Sequence, residues 1–221
     1  MIAEVAVTFG WFIPAYRRHC ETGMAWGPVE HQQGLLAGGE LFRHVVTGGE
    51  LEPLPFVSMR LRDGESAYAE LPLEYSRFYA MDVTYQQQSV LAFGSAGFIL
   101  GALAVNAAGN AMARNRANAL AAAQWREHQI ARVFLTSERL LIATGVGPLS
   151  FWHDGLSEFL PTPDHFRLLL TFPDCEPVQL RGPGVPWLAV AMARLLYRPE
   201  QLTLIPGFAG MAAWHREIEE E

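Results

Sequence analysis

Between positions 166 and 180 the chain has a period of two. Phe166, Leu168, Leu170 and Phe172 alternate with Arg167, Leu169 and Thr171, Pro173-Asp174 supplies a turn, and Val178 and Leu180 continue the pattern in a partner segment. Successive side chains on a strand point to opposite faces, so this spacing specifies an antiparallel hairpin with one apolar face that another layer must cover. A second hairpin is expected where Arg132-Val133-Phe134-Leu135-Thr136 and Arg139-Leu140-Leu141-Ile142 flank Ser137-Glu138, two residues being enough for a tight turn. Leu149 to His153 reads as a third strand of this group. Pro183 and Pro186 then precede the helical run Trp187 to Leu196, with proline where its missing donor costs nothing. The stripe Trp187, Leu188, Ala191, Met192, Leu195 fits that helix as the plug of a strongly bent sheet.

Upstream, Glu65 to Ala80 is aromatic and alternating, with Tyr68, Leu71, Leu73, Tyr75, Phe78 and Tyr79. Pro72 places this stretch either at a bend between two strands or at a sheet edge. The pattern then changes abruptly, because no charged residue lies between Asp82 and Arg114. A small-residue apolar helix followed, after Gly109-Asn110, by an alanine-rich helix to about Gln129 predicts a helical hairpin over 82–130. Near the N-terminus, helical spacing predicts a short helix from Ala3 to Tyr16 and a second from Pro28 to Ala37, ending at Gly38-Gly39. The expected organisation is a helical N-terminal region over 1–60, packed on a sheet domain over 61–200 that carries the hairpin as an insertion, and an acidic tail over 201–221 that frays at its last residues, Glu217 to Glu221.

Composition narrows the function classes. A formal charge of −7 leaves no general attraction for phosphate backbones, so nucleic acid is not an expected partner. All basic residues are arginine, as codon bias alone produces, and this carries no functional weight. The two cysteines, Cys20 and Cys175, are far apart and show no metal-ligand spacing, which predicts neither a disulfide framework nor a zinc site and fits a reducing, cytoplasmic setting. Met1-Ile2-Ala3-Glu4 carries an acid where a secretory signal carries positive charge.

Gly64-Glu65 opens the first strand, the Val133 to Ile142 hairpin has the form V-x-x-T-x-x-R-L through Val133, Thr136, Arg139 and Leu140, and a single helix closes the array after a proline-rich turn. In these features, over roughly 62–81 and 131–197, the chain resembles bacterial PH-like and GRAM-like domains. That resemblance implies an α+β fold, a PH-like bent antiparallel sheet or barrel capped by a C-terminal helix, and a binding module in place of an enzyme.

Motifs for nucleotide phosphates, dinucleotides, serine hydrolysis and zinc peptidases are absent. Trp152-His153-Asp154-Gly155 sets an imidazole beside a carboxylate, but neighbours on a strand face apart, and a turn cornered on Asp154-Gly155 is the better reading. His19 beside Cys20 is likewise structural, since nucleophile and base are not paired through sequence adjacency. No catalytic, cofactor or metal residue is therefore expected. The interaction candidates lie in the predicted hairpin: Gly94, Gly97 and Gly101, whose small size lets helices approach, with Phe98, Leu103, Arg114, Arg116, Trp125 and Arg126. They predict a scaffold that binds a protein partner or itself. The alternative is a peripheral membrane protein that inserts the apolar stretch 86–113 into an anionic surface.

Overall fold

In the computed structural model the described residues are 26–80 and 122–219. The chain divides into two units, residues 1–77 with 127–221, and residues 78–126. The predicted helix at 3–16, and with it Gly94, Gly97, Phe98, Gly101, Leu103, Arg114 and Arg116, lies outside the described residues.

The elements in chain order are α1 (Pro28–Val46), β1 (Ala67–Tyr79), β2 (Gln124–Thr136), β3 (Arg139–Thr144), β4 (Gly147–Trp152), β5 (Glu158–Thr162), β6 (Arg167–Phe172), β7 (Cys175–Arg181), α2 (Val185–Leu196), α3 (Pro199–Leu202) and α4 (Ala209–Glu219). The strands form one seven-stranded sheet in the order β4-β3-β2-β1-β7-β6-β5. The β2–β3, β3–β4, β5–β6, β6–β7 and β1–β7 pairs are antiparallel. At the β1–β2 seam the Ser137 N–H donates to the Ser66 carbonyl and Arg132 reaches Glu70, so the start of β1 meets the end of β2 and this pair is antiparallel too.

The sheet is bent. In a flat sheet, β4 and β6, five positions apart in the strand order, would stand about 24 Å from each other. Instead the Phe151 ring on β4 and the Phe172 ring on β6 have centroids 5.4 Å apart. The bend gathers the apolar alternants on its concave side: Ala69, Leu71, Leu73 and Tyr75 from β1, Val133 and Leu135 from β2, Leu140 and Ile142 from β3, Leu168 and Leu170 from β6, Val178 and Leu180 from β7. α2 fills the concavity. Every residue from Val185 to Ala193 is buried, the condition of a helix covered on all sides.

The outer side of α2 is covered by α1, and here the expected helix end at Gly38-Gly39 is corrected, since α1 continues to Val46. These glycines are contact points. A methyl group on Gly34 would lie 1.9 Å from the Pro183 carbonyl oxygen, one on Gly38 2.7 Å from Pro186 Cβ, and one on Gly39 2.6 Å from the Trp214 ring. Buried Ala37, Leu41, Phe42 and Val45 hold the helix in place, which outweighs the propensity cost of the glycines. Gly34→Ala is expected to destabilise the fold by about 1–3 kcal/mol despite alanine's better helix propensity, because the obstacle is backbone. Urea denaturation checks this; a stabilised variant would show that α1 does not sit against Pro183.

Three further expectations are revised, and one strand, β5, is unforeseen. β1 is one continuous strand in the middle of the sheet; its pairing with β7 spans only Glu74 to Arg77, so Pro72 lies in the half that β7 does not reach and that is locally an edge. The alanine-rich helix does not extend to Gln129, because β2 begins at Gln124 and strand pairing overrides local helix propensity there. β5 escapes the alternation argument because Pro161 interrupts it; at the sheet edge proline is tolerated, and Pro161 is buried opposite Leu168. The C-terminal tail is folded: α4 follows a short turn at Pro206–Phe208, and Leu202, Phe208, Met211 and Ala212 belong to the core.

Candidate functional site

The densest group of interacting charged and polar side chains among the described residues sits where β1 begins and the β2–β3 hairpin turns. Gly64 has φ +82°, a conformation that favours glycine, and the Glu65 N–H closes the turn onto the Arg62 carbonyl at 3.1 Å. The same turn aims the Arg62 N–H at Glu65 Oε2, 2.8 Å away. Arg139 approaches from the first position of β3 and donates from Nε to Oε1 and from Nη2 to Oε2, each at 2.9 Å, a two-bond fork on a carboxylate. Thr136, the last residue of β2, donates its hydroxyl to Oε1 at 2.7 Å and accepts the Arg139 N–H at 3.0 Å. Glu65 and Arg139 are 74 positions apart in sequence.

The Glu65 side chain has no exposed surface. Burial alone would raise its carboxyl, but the Arg139 fork, the Arg62 N–H and the Thr136 hydroxyl outweigh it and hold the group down at about 2. Arg139 is equally committed: Nη1 donates to Ser150 Oγ at 3.0 Å, and its guanidinium carbon lies 4.6 Å from the centre of the Trp152 ring. Arg62 approaches the same ring at 5.1 Å and pairs with Glu138 at 3.0 Å.

His153 belongs to the margin of this group. β4 ends in a single 3-10 turn, His153–Gly155, in agreement with the turn expected at Asp154-Gly155. Nε2 of the imidazole lies 2.9 Å from the Thr136 carbonyl, and the His153 N–H donates to the Glu138 carbonyl at 3.0 Å. Burial, the largest influence, lowers the imidazole's pKa, against the opposing effects of the Thr136 hydrogen bond and the Asp154 and Glu65 charges. No bond joins His153 to Asp154 as an acid–base pair.

Of the interaction candidates, Trp125 and Arg126 are described, and both are on β2. The Trp125 ring is 5.3 Å from Phe78. Arg126 donates to the carbonyls of Tyr79 and Ala122 and lies over the Tyr79 ring at 5.6 Å. Arg132, further along β2, bonds Glu70 and Ser58 and lies over Phe134. Both arginines are thus engaged within the chain. Among the described residues no three His, Cys, Asp or Glu side chains are placed to hold a metal ion, and no helix is long and apolar enough to cross a membrane.

In the sequence Gly64, Glu65, Thr136 and Arg139 stand out as motif positions, but their spacing does not join them. The signal was present: an acid after a turn glycine and an arginine at the mouth of a hairpin share a sheet end once β1 and β2 pair. His153 was missed as a partner of Thr136, because a bond from an imidazole to a carbonyl leaves no mark in side-chain spacing.

Compared with protein-family models, with curated proteins and with solved structures, the chain matches none.

Proposed function

We propose that the protein is a non-catalytic binding or scaffold module of PH-like or GRAM-like type, working in a reducing, cytoplasmic setting and acting on a protein partner or on a second copy of itself. One observation carries this reading: the Glu65 cluster is closed on itself. Both carboxylate oxygens, the Thr136 hydroxyl and both edges of the Arg139 guanidinium bond groups of the same chain, and the carboxylate has no exposed surface. A catalytic acid or base must reach a substrate atom, and this one reaches only its partners. The helix-sealed bent sheet is compatible with a PH-like architecture, and the segment inserted after β1, a departure from that pattern, is the proposed partner surface.

That segment is the small-residue stretch after β1, with Gly94, Gly97 and Gly101 as the packing positions. In light scattering at micromolar concentration the protein is expected to form a defined multimer that dissociates when Gly97 and Gly101 are both replaced by leucine. A monomer, or a multimer indifferent to the double substitution, removes self-assembly through this stretch. The charge-free run between Asp82 and Arg114 supports the second reading, insertion into an anionic membrane surface. Co-flotation with phosphatidylserine vesicles but not with neutral ones is its expected result, and no flotation with either removes it.

A further inference from the structure

His153 sits where three parts of the fold meet. Its ring bonds the Thr136 carbonyl and its N–H bonds the Glu138 carbonyl, so one residue straps the end of β4 across the β2–β3 turn. A carbonyl only accepts, so Nε2 carries the proton and Nδ1 of the neutral ring is the lone-pair nitrogen. Nδ1 is buried and has no hydrogen-bond partner among the described residues. Protonating it would create a cation and a new donor at a place where no protein acceptor waits.

We propose that His153 is an acid-released strap, closing the β4 corner onto the β2–β3 turn while neutral and letting it go when protonated. The charged groups acting on the ring are Asp154 next to it and Glu65 from the turn before β1; on the elements that His153 bonds, Glu138 lies in the β2–β3 turn and Arg139 opens β3. Glu65 is neutralised by Arg139 and Glu138 is paired with Arg62, so the acids on the neighbouring elements are already spoken for. Burial decides the balance and holds the imidazole below its ordinary value of 6.5. The sign follows from that direction: the strap's contribution to stability is complete above about 6.5 and is lost as pH falls through the lower folded-state value. Glu65 is held down at about 2 by its own partners and does not depend on the His153 ring for its pairing with Arg139. The consequence is local: Trp152, the residue before His153 and the platform under Arg62 and Arg139, gains freedom without unfolding of the sheet.

Two measurements on the full chain test this. Imidazole NMR is expected to give His153 a midpoint below 6.5, and the hydrogen-exchange protection of its amide is expected to fall at least about tenfold through that midpoint, while amides of β6 keep theirs. In His153→Gln, whose side-chain amide can donate to the Thr136 carbonyl without titrating, protection is expected to stay flat over the same range. The proposal is overturned if the wild-type amide stays protected through the titration of its own ring, if the ring titrates at or above 6.5, or if the glutamine variant opens over the same pH range. Should that variant fail to fold, the two wild-type readings still decide.

Discussion

Replacing Arg139 with alanine is expected to remove about 3–5 kcal/mol of folding stability at neutral pH, the cost of stranding a buried carboxylate. The loss exceeds that of one hydrogen bond because Glu65 would keep its burial and lose both arms of the fork. Its carboxyl would then rise, since the desolvation that Arg139 now outweighs would dominate. The same pair sets an acid limit on the wild type. A carboxyl lowered from 4.5 to about 2 contributes stability that is complete above about 4.5 and is lost as pH falls toward 2, worth roughly 3 kcal/mol. Urea denaturation at pH about 7 and about 3 should therefore show the wild type weakening in acid and Arg139→Ala weakening far less. A variant within about 1 kcal/mol of the wild type at neutral pH would mean that the pair is a surface ornament.

The second large effect is expected at Phe208. This ring has no exposed surface and meets Phe42 of α1 and Phe159 of β5 edge-on, at 5.7 Å and 6.5 Å between centroids. Phe208→Ala is expected to cost about 3–5 kcal/mol through lost burial and the cavity left between the three elements. A purely acidic, frayed tail would tolerate the change within about 0.5 kcal/mol. Thermal unfolding separates the two, and truncation after Leu202 should be at least as damaging, because Met211 and Ala212 leave the core with it.

The sheet side of the architecture was legible because its information is local. Leu168 and Leu170 alternate with polar or half-exposed neighbours, and a two-residue turn at Ser137-Glu138 is set by the chain around it. The helix that seals the sheet was legible for the same reason, since an apolar run with proline in its first turn has few other uses. What could not be read depended on partners distant in sequence. Gly38-Gly39 resembles a stop signal until Pro186 and Trp214 are seen to occupy the space a side chain would need. Pro72 resembles a breaker until β7 is found to end short of it. Phe208, set between Pro206-Gly207 and an alanine-rich run, gives no period, and its burial is decided by Phe42 and Phe159. The Glu65 cluster was half legible: its members stood out as a motif, but that they neutralise one another follows only from β1 lying against β2.

That neutralisation separates a frame built for binding from a site with a free acid. The carbon-13 resonance of the Glu65 carboxyl, followed through an acid titration, measures it in one experiment. A midpoint near 2, well below an ordinary glutamate, is the expected result. A midpoint at 4.5 or above would mean that Arg139 does not hold this carboxylate, and that a titratable acid stands at the mouth of the β2–β3 hairpin after all.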